Sequence, residues 1–198
     1  MCIKRKNISM TTTTDAEFAA VASRCRALFE KKTRDYGTAW RILRLPSLTD
    51  QIFIKANRVR SIEESGENRV GDAVEQEFLA MVNYAAIALM QAELLRDGCA
   101  EMNLDPDRCM HLYDKHVEAT TRLMRNKNHD YGEAWRQMRV SSMVDLILMK
   151  LLRIKQIEDN DGHTEVSEGV EGGYADIMNY AFFCLIRLEE ASQSEAAQ

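Results

Sequence analysis

Proline is scarce in this 198-residue chain, which contains only Pro46 and Pro106. Because proline interrupts helices and central strands, the long stretches without it can form long, unbroken helices. In those stretches the apolar residues recur at the spacing of a helix face, and there is no strand-like alternation of apolar and polar residues. The sequence therefore predicts an all-α fold.

Paired cysteines, a signal peptide and membrane-spanning runs are also missing. The five cysteines are odd in number and include no C-x-x-C pair, which is typical of free thiols in a reducing compartment. The segment from Met1 to Thr14 is basic and then threonine-rich, without the apolar core of a signal peptide. No uncharged apolar run approaches the ~18 residues of a membrane span. We expect a cytoplasmic protein with no membrane partner.

An excess of basic residues is absent as well. The net charge of -5 argues against a general nucleic-acid surface, although a few local cations suffice for a nucleotide pocket. There is no P-loop, no G-x-G-x-x-G fingerprint and no Ser-His-Asp pattern. The four histidines do not share the spacing of a zinc site. The commonest signatures of nucleotide and metal chemistry are therefore excluded.

What the chain does contain is a second copy of itself. Fifteen identities within residues 31–64 recur 95 positions later, and Glu75, Asn83, Tyr84 and Ala85 recur 96 positions later. A tandem duplication of this kind is to be considered before any other feature. Most of the retained residues are charged or aromatic, which favours chemistry or a demanding turn over bulk packing. The fifteen first-copy members are Lys32, Asp35, Tyr36, Gly37, Ala39, Trp40, Arg41, Arg44, Ser47, Asp50, Ile52, Lys55, Arg58, Ile62 and Glu63.

Each copy is predicted to form three helices, and the repeats span residues 15–95 and 105–191. The third helices are apolar most of the way round, so we expect them at the centre of one compact bundle. The two copies would be related by a pseudo-two-fold axis, as in a fused dimer, whether the chain is a monomer or a homodimer. Asp105 and Asp15 are predicted to cap first helices. The predicted helices cover residues 15–34, 47–65, 70–95, 107–129, 142–160 and 167–191.

The repeated Asp-Tyr-Gly-x-Ala-Trp block has two interpretations. It can be a turn device, in which glycine supplies the left-handed conformation and the aromatic rings pack. It can also form a pocket, in which tyrosine and tryptophan stack a base and aspartate binds a polar group. The candidate substrate-binding residues of the block are Asp35, Tyr36, Trp40, Asp130, Tyr131 and Trp135.

A repeated pair of cations lies on the second helix of each copy. Lys55 and Arg58, like Lys150 and Arg153, are three residues apart and share a helix face. Such a pair can be a solvated edge, or it can be aimed at phosphates, which arginine binds bidentately and lysine binds as a point charge. These four residues are the candidate catalytic cations.

Acidic residues and a repeated asparagine suggest a metal site. Acidic residues in a first helical turn are ordinary partners of the helix dipole. However, Glu75 and Asn83 lie on roughly one face, and oxygen ligands from two neighbouring helices are what Mg²⁺ uses when it also holds phosphates. The candidate metal ligands are Glu63, Glu75, Glu158, Glu171 and Asp176, with Asn83 and Asn179 as substrate-binding neighbours.

The assembled motifs resemble the nucleotide modification associated domain family in its duplicated bacterial form. The resemblance covers residues 28–89 and 123–188, and it depends on "KNHDYGEAWRQMRVSSMVDLILMKLLRIKQIED" and "DIMNYAFF". That family is in turn similar to the MazG-like all-α nucleoside triphosphate pyrophosphatases. Their Mg²⁺-binding motifs would fall near Glu63 and Glu158, and near Asp176 with Asn179. The resemblance implies a MazG-like helical bundle and a nucleotide substrate.

Three functions remain open from the sequence. The first is a Mg²⁺-dependent pyrophosphatase acting on (deoxy)nucleoside triphosphates, in which the metal neutralises the phosphates. The second is a nucleotide-binding module without hydrolysis, associated with nucleotide or base modification. The third is a helical interaction protein, in which the repeated block is only a turn device.

Overall fold

The fold is described by a computed structural model of residues 10–71, 73–165 and 169–196. Those residues contain α-helices and short 3₁₀ helices and no β-strand, which confirms the all-α fold. Three α-helices fall in each copy, as predicted. The α-helices are α1 (Met10–Tyr36), α2 (Leu45–Ser65), α3 (Val74–Arg96), α4 (Pro106–Tyr131), α5 (Val140–Asp159) and α6 (Val170–Ala196).

The helix boundaries differ from the sequence predictions in a few places. Asp105 caps α4 as predicted, since its side chain accepts hydrogen bonds from two backbone N–H groups of the first turn. Asp15 is not a cap, because α1 begins at Met10 and continues through it. The third helix of the first copy begins at Val74 instead of residue 70, and predicted residue 167 lies outside the described residues. The repeat extents of 15–95 and 105–191 stay predictions.

The third helices of the two copies form the centre of the bundle. They pack against each other, and each also packs against the second helix of its own copy. Helix α3 is long and apolar enough to cross a membrane by length and composition alone, but most of it is buried inside the protein. It is the one helix in the described ranges with this character. Its burial is that of a core helix.

The contact between α2 and α5 is reciprocal. Lys155 Nζ lies 2.5 Å from Asp50 Oδ1, and Arg60 Nη1 lies 3.7 Å from Asp145 Oδ1. Arg60 and Asp50 are the first-copy equivalents of Lys155 and Asp145, so the second ion pair is the first with the copies exchanged. The two copies therefore contact each other through equivalent positions on α2 and α5.

The four cysteines within the described residues do not form disulfides. Cys25, Cys99, Cys109 and Cys184 are free thiols, and Cys2 lies outside the described residues. Burial raises the pKa of Cys25 to about 12 and the pKa of Cys109 to about 11, so both thiols stay protonated at neutral pH. These two cysteines therefore have a packing role.

A buried asparagine joins the helices of the first copy to those of the second. Asn83 on α3 donates through Nδ2 to the backbone carbonyl of Cys25 on α1, at 3.2 Å. Its Oδ1 accepts from the hydroxyl of Tyr113 on α4, at 2.8 Å. Both polar ends of the buried amide are therefore satisfied.

The equivalent asparagine of the second copy is only half satisfied. Asn179 donates through Nδ2 to the carbonyl of Thr120, at 3.5 Å, and Thr120 is the equivalent of Cys25. The equivalent of Tyr113 is Phe18, which has no hydroxyl. Asn179 Oδ1 is buried and has no hydrogen-bond partner in the described part of the chain. The copies therefore differ by one buried hydrogen bond.

Removing the Tyr113 hydroxyl is expected to destabilise the protein. The Tyr113→Phe variant leaves Asn83 Oδ1 buried without a donor, as Asn179 Oδ1 already is, and we expect a loss of about 1–3 kcal/mol in the free energy of unfolding. Urea denaturation measures it. Tyr180→Phe is the matched control, because the Tyr180 hydroxyl makes no hydrogen bond among the described residues, and it should change little. Equal unfolding free energies for the two variants would contradict this role of Tyr113.

Candidate functional site

Two pockets occupy equivalent places in the two copies, with cavity volumes of about 270 and 310 Å³. Every residue that lines the second pocket is the equivalent of one that lines the first. The first pocket is lined by Phe29, Lys32, Thr33, Tyr36, Gly37, Ala39, Trp40, Ile42, Leu43, Ala80, Asn83, Tyr84 and Ile87. The second pocket is lined by Met124, Lys127, Asn128, Tyr131, Ala134, Trp135, Met138, Asp176, Asn179, Tyr180 and Phe183.

The repeated block builds each pocket by ending a helix and turning the chain. Gly37 and Gly132 follow α1 and α4 with φ angles of 62° and 59°, the left-handed conformation that glycine adopts without strain. The chain then forms the 3₁₀ helices Ala39–Ile42 and Ala134–Gln137, which carry the tryptophans. Each pocket lies between the end of the first helix, the 3₁₀ helix and the third helix of its copy.

The aromatic residues of the block differ in exposure: the tryptophans are buried and the tyrosines are exposed. Trp40 and Trp135 are buried, whereas the tyrosines Tyr36 and Tyr131 are 58% and 74% exposed. The Trp135 ring is already stacked on Phe183, with centroids 4.4 Å apart. Both tryptophan Nε1 atoms are buried without a hydrogen-bond partner in the described ranges. The tyrosines therefore offer a stacking surface, and the tryptophans form the wall behind it.

The structure adds residues that the sequence analysis did not select. Lys32 and Lys127 line the pockets, as do Tyr84 and Tyr180. All four belong to the identities shared by the copies, and Lys32 precedes Tyr36 by four residues, one helical turn. The repeated identities and the helical spacing could therefore have identified these four residues as pocket residues.

The aspartates of the block lie outside the pocket linings. Asp35 and Asp130 are both exposed. Asp130 Oδ1 lies 3.1 Å from Nδ1 of its neighbour His129. The predicted role of these aspartates in holding a polar group of the substrate stays a prediction.

The predicted catalytic cations of the first copy bind a buried carboxylate. Lys55 Nζ lies 3.2 Å from Oε2 of Glu77, and Arg58 forms a hydrogen bond with the same carboxylate. Glu77 is nearly inaccessible to solvent and neither cation lines the first pocket. Their role in binding phosphate stays a prediction, and the contact observed here is structural.

The same two positions behave differently in the second copy. Lys150 Nζ lies 2.5 Å from Oδ2 of Asp176, a residue that lines the second pocket. Arg153 is exposed and forms no ion pair or hydrogen bond in the part of the chain that the structure describes. One predicted cation of this copy is thus next to its pocket, and the other lies apart from it.

Two of the predicted metal ligands form surface ion pairs. Glu75 Oε1 lies 2.7 Å from Arg24, and Glu171 Oε1 lies 2.6 Å from Arg96. Acidic residues of a first helical turn commonly have such a role. Neither glutamate lines either of the two equivalent pockets.

The remaining glutamates lie at the ends of α2 and α5. Glu158 accepts hydrogen bonds from the hydroxyls of Thr49, at 2.8 Å, and Tyr174, at 3.2 Å. Burial raises the pKa of Glu158, and nearby Asp50 adds to the shift. Burial likewise raises the pKa of Glu63, together with the charge of Asp145. Across residues 10–71, 73–165 and 169–196, no three acidic, histidine or cysteine residues form a group that could hold a metal ion.

Asp176 is the predicted metal ligand that does lie in a pocket. Its Oδ1 accepts from Lys127 Nζ at 2.7 Å, and its Oδ2 accepts from Lys150. Burial opposes ionisation of this carboxyl, but the hydrogen bonds from the two lysines outweigh it and lower the pKa of Asp176. The carboxylate is therefore ionised at neutral pH and held by two cations.

Comparison with known proteins gives one result. A family model described as nucleotide modification associated domain 1 matches residues 32–92 and 127–188, which together exceed half of the chain. The two matched segments begin 95 residues apart, as the repeated identities do. No curated protein and no solved structure matches the chain. Both pockets are built almost entirely from the matched segments.

Proposed function

The chain belongs to the nucleotide modification associated domain 1 family, and from that premise we propose that it binds a nucleoside or nucleotide in each of its two pockets. The observation that carries the proposal is the equivalence of the pockets. The two copies have diverged over most of their length, yet both keep a lysine, two tyrosines, a tryptophan and an asparagine around the same cavity.

The chemistry of the lining suits an aromatic ligand with polar edges. A base can stack on the exposed ring of Tyr36 or Tyr131, because every base has a π-face. The indole N–H groups of Trp40 and Trp135 are donors without an acceptor in the described residues. A pocket lysine can bind a phosphate as a point charge. The cavity volumes are near the lower end of the ~300–1,000 Å³ range of small-molecule sites.

We also propose that the two copies form a fused, MazG-like pseudo-dimer. The reciprocal ion pairs Lys155–Asp50 and Arg60–Asp145 support this arrangement, because a two-fold axis between the copies would relate each contact to its counterpart. The packing of α3 against α6 supports it as well. A chain that contains both halves of the bundle can act as a monomer.

The predicted Mg²⁺-dependent pyrophosphatase activity is the alternative to binding alone. Among the described residues, no three acidic, histidine or cysteine side chains form a group that could hold a metal ion by themselves. Asp176 is bound by two lysines, and Lys55 and Arg58 are bound by Glu77. Binding is therefore the function that the geometry supports best.

A thermal-shift experiment tests the proposal. The purified protein is heated with each of the four 2′-deoxynucleosides and with their 5′-mono- and triphosphates, with and without Mg²⁺. A ligand that binds only the folded state raises the melting temperature, so at least one compound should do so without Mg²⁺. No shift with any compound would contradict nucleotide binding. Pyrophosphate release from a triphosphate in the same samples would instead establish the alternative.

A further inference from the structure

The two pockets differ in charge at one position on the third helix. The first pocket has Ala80 where the second has Asp176. Asp176 binds Lys127, the lysine of the second pocket, at 2.7 Å, and also binds Lys150 at 2.5 Å. Lys127 is therefore paired with a carboxylate that lies in the same pocket and that it shares with Lys150.

The lysine of the first pocket has no such partner. Lys32 is exposed and forms no ion pair or hydrogen bond within the described part of the chain. With Ala80 beside it, the first pocket has a cation and no anion on its lining, whereas in the second pocket Lys127 lies against Asp176, a carboxylate that it shares with Lys150.

The first copy does have a carboxylate, but it lies one helical turn earlier. Glu77 on α3 is buried and binds Lys55 and Arg58, and its second-copy equivalent is Gly173. In each copy the lysine of the second helix therefore pairs with a carboxylate of the third helix. Only in the second copy does that carboxylate also reach the pocket lysine. The displacement of the acid by one turn leaves Lys32 free for an anion.

We propose that the first pocket recognises a phosphate group on its ligand, whereas Asp176 makes the second pocket select the ligand without a phosphate. This proposal rests on the proposed function, since it names which form of the nucleoside each pocket takes. A phosphate in the first pocket meets the free ammonium of Lys32. A phosphate in the second pocket meets a carboxylate, and unfavourable contacts of this kind produce specificity.

A phosphate could bind Lys127 only by displacing Asp176. The Asp176 side chain is largely buried, and its carboxylate would then retain Lys150 alone beside a second anion. The partly buried carboxylate would lose one of its two cations, and losing a partner from a buried ion pair is costly. The rearrangement therefore weakens phosphate binding in the second pocket.

The two tryptophans of the chain provide a reporter for each pocket. Trp40 lines the first pocket and Trp135 lines the second, and the sequence contains no others. Incorporation of 5-fluorotryptophan gives two ¹⁹F resonances, which the Trp40→Phe and Trp135→Phe variants assign. The protein is titrated at low ionic strength with the four 2′-deoxynucleosides and, separately, with their 5′-monophosphates. Each resonance then yields the affinity of its own pocket.

The expected result is a phosphate preference in one pocket only. The nucleoside that binds should shift both resonances, and its monophosphate should bind at the first pocket about tenfold or more tightly than at the second. Asp176→Asn should increase the ratio of monophosphate to nucleoside affinity at the second pocket by about tenfold. Ala80→Asp should lower monophosphate affinity at the first pocket by a similar factor.

Several outcomes would overturn the proposal. Equal monophosphate affinities at the two pockets of the parent protein would contradict it. Monophosphate affinities that neither Asp176→Asn nor Ala80→Asp changes would also contradict it. In both cases nucleoside binding, and hence the proposed function, would still stand. If no compound shifts either resonance, the proposed function fails and this inference fails with it. The parent protein and the Ala80→Asp variant each test the proposal on their own. A folding defect in Asp176→Asn would therefore leave the proposal testable.

Discussion

Replacing Tyr36 and Tyr131 together by leucine is expected to lower nucleoside affinity at both pockets by about ten- to a hundredfold. These rings are the most exposed aromatic surfaces of the repeated block, at 58% and 74%. Stacking of a base on an aromatic ring contributes about 1–3 kcal/mol, and leucine keeps the apolar bulk but loses the π-face. The ¹⁹F titration measures both affinities in one sample.

The matched control keeps the ring and removes the hydroxyl. Changing Tyr36 and Tyr131 to phenylalanine should leave nucleoside affinity within about threefold of the parent, because stacking is retained. Leu152→Ala is a second control, since this exposed side chain lies outside both pockets. Parent-like affinity in the leucine variant would contradict the stacking role of the tyrosines.

Replacing Glu77 by glutamine is expected to lower the free energy of unfolding by about 2–4 kcal/mol. Glu77 is only 3% exposed, and it binds both Lys55 and Arg58. Removing one partner of a buried ion pair typically costs about 3–5 kcal/mol, because the remaining charges lose their counter-ion. Both cations keep some solvent contact, so the expected loss extends below that range. Urea denaturation of the parent and the variant gives the difference.

A second glutamate on the same helical turn gives the matched control. The Glu75 side chain is 37% exposed and pairs with Arg24 at 2.7 Å. Exposed ion pairs contribute about 0–1 kcal/mol, so Glu75→Gln should have a small effect. If Glu77→Gln costs no more than Glu75→Gln, Glu77 is not the structural partner of the two cations. The residues Lys55 and Arg58 would then remain available for a ligand.

The sequence predicted the helices and the pocket aromatics because the duplication displays them directly. Low proline content and helical periodicity predicted six helices, and the identities around Tyr36 and Trp40 marked the residues that line the cavity. The exposed Tyr131 ring is open to a ligand, whereas the Trp135 ring is covered by Phe183 on one face and by the Arg136 guanidinium. The covering ring of Phe183 is about fifty positions from Trp135 in the sequence. Local patterns do not reveal such contacts.

The partners of the charged residues were the least predictable part of the site. Lys55 and Lys150 are identical in the repeat, yet one binds Glu77 and the other binds Asp176. The spacing along α2 and α5 shows that each lysine shares a face with an arginine, but it does not show which turn of the third helix that face meets. The packing of the helices determines which turn the lysine meets. A carboxylate displaced by one turn of the third helix therefore changes the partner of that lysine.

The predicted metal site shows the same limit. Glu75 and Asn83 have the spacing of one helix face, and that spacing is present in α3. The glutamate nevertheless pairs with Arg24 of α1, and the asparagine bonds to Cys25 and Tyr113. Side chains on one helix face can thus serve different neighbours. A ligand set cannot be deduced until the packing of the neighbouring helices is known.

The number of nucleoside molecules bound per chain is the most direct measure of whether both pockets are binding sites. Isothermal titration calorimetry, with the 2′-deoxynucleoside that raises the melting temperature most, gives this number. Two equivalent pockets predict two molecules per chain, with one of the two sites weakened about ten- to a hundredfold in Tyr36→Leu and the other in Tyr131→Leu. Absence of binding, a single molecule bound per chain, or affinities that neither substitution changes would contradict the assignment of the two pockets as nucleotide-binding sites.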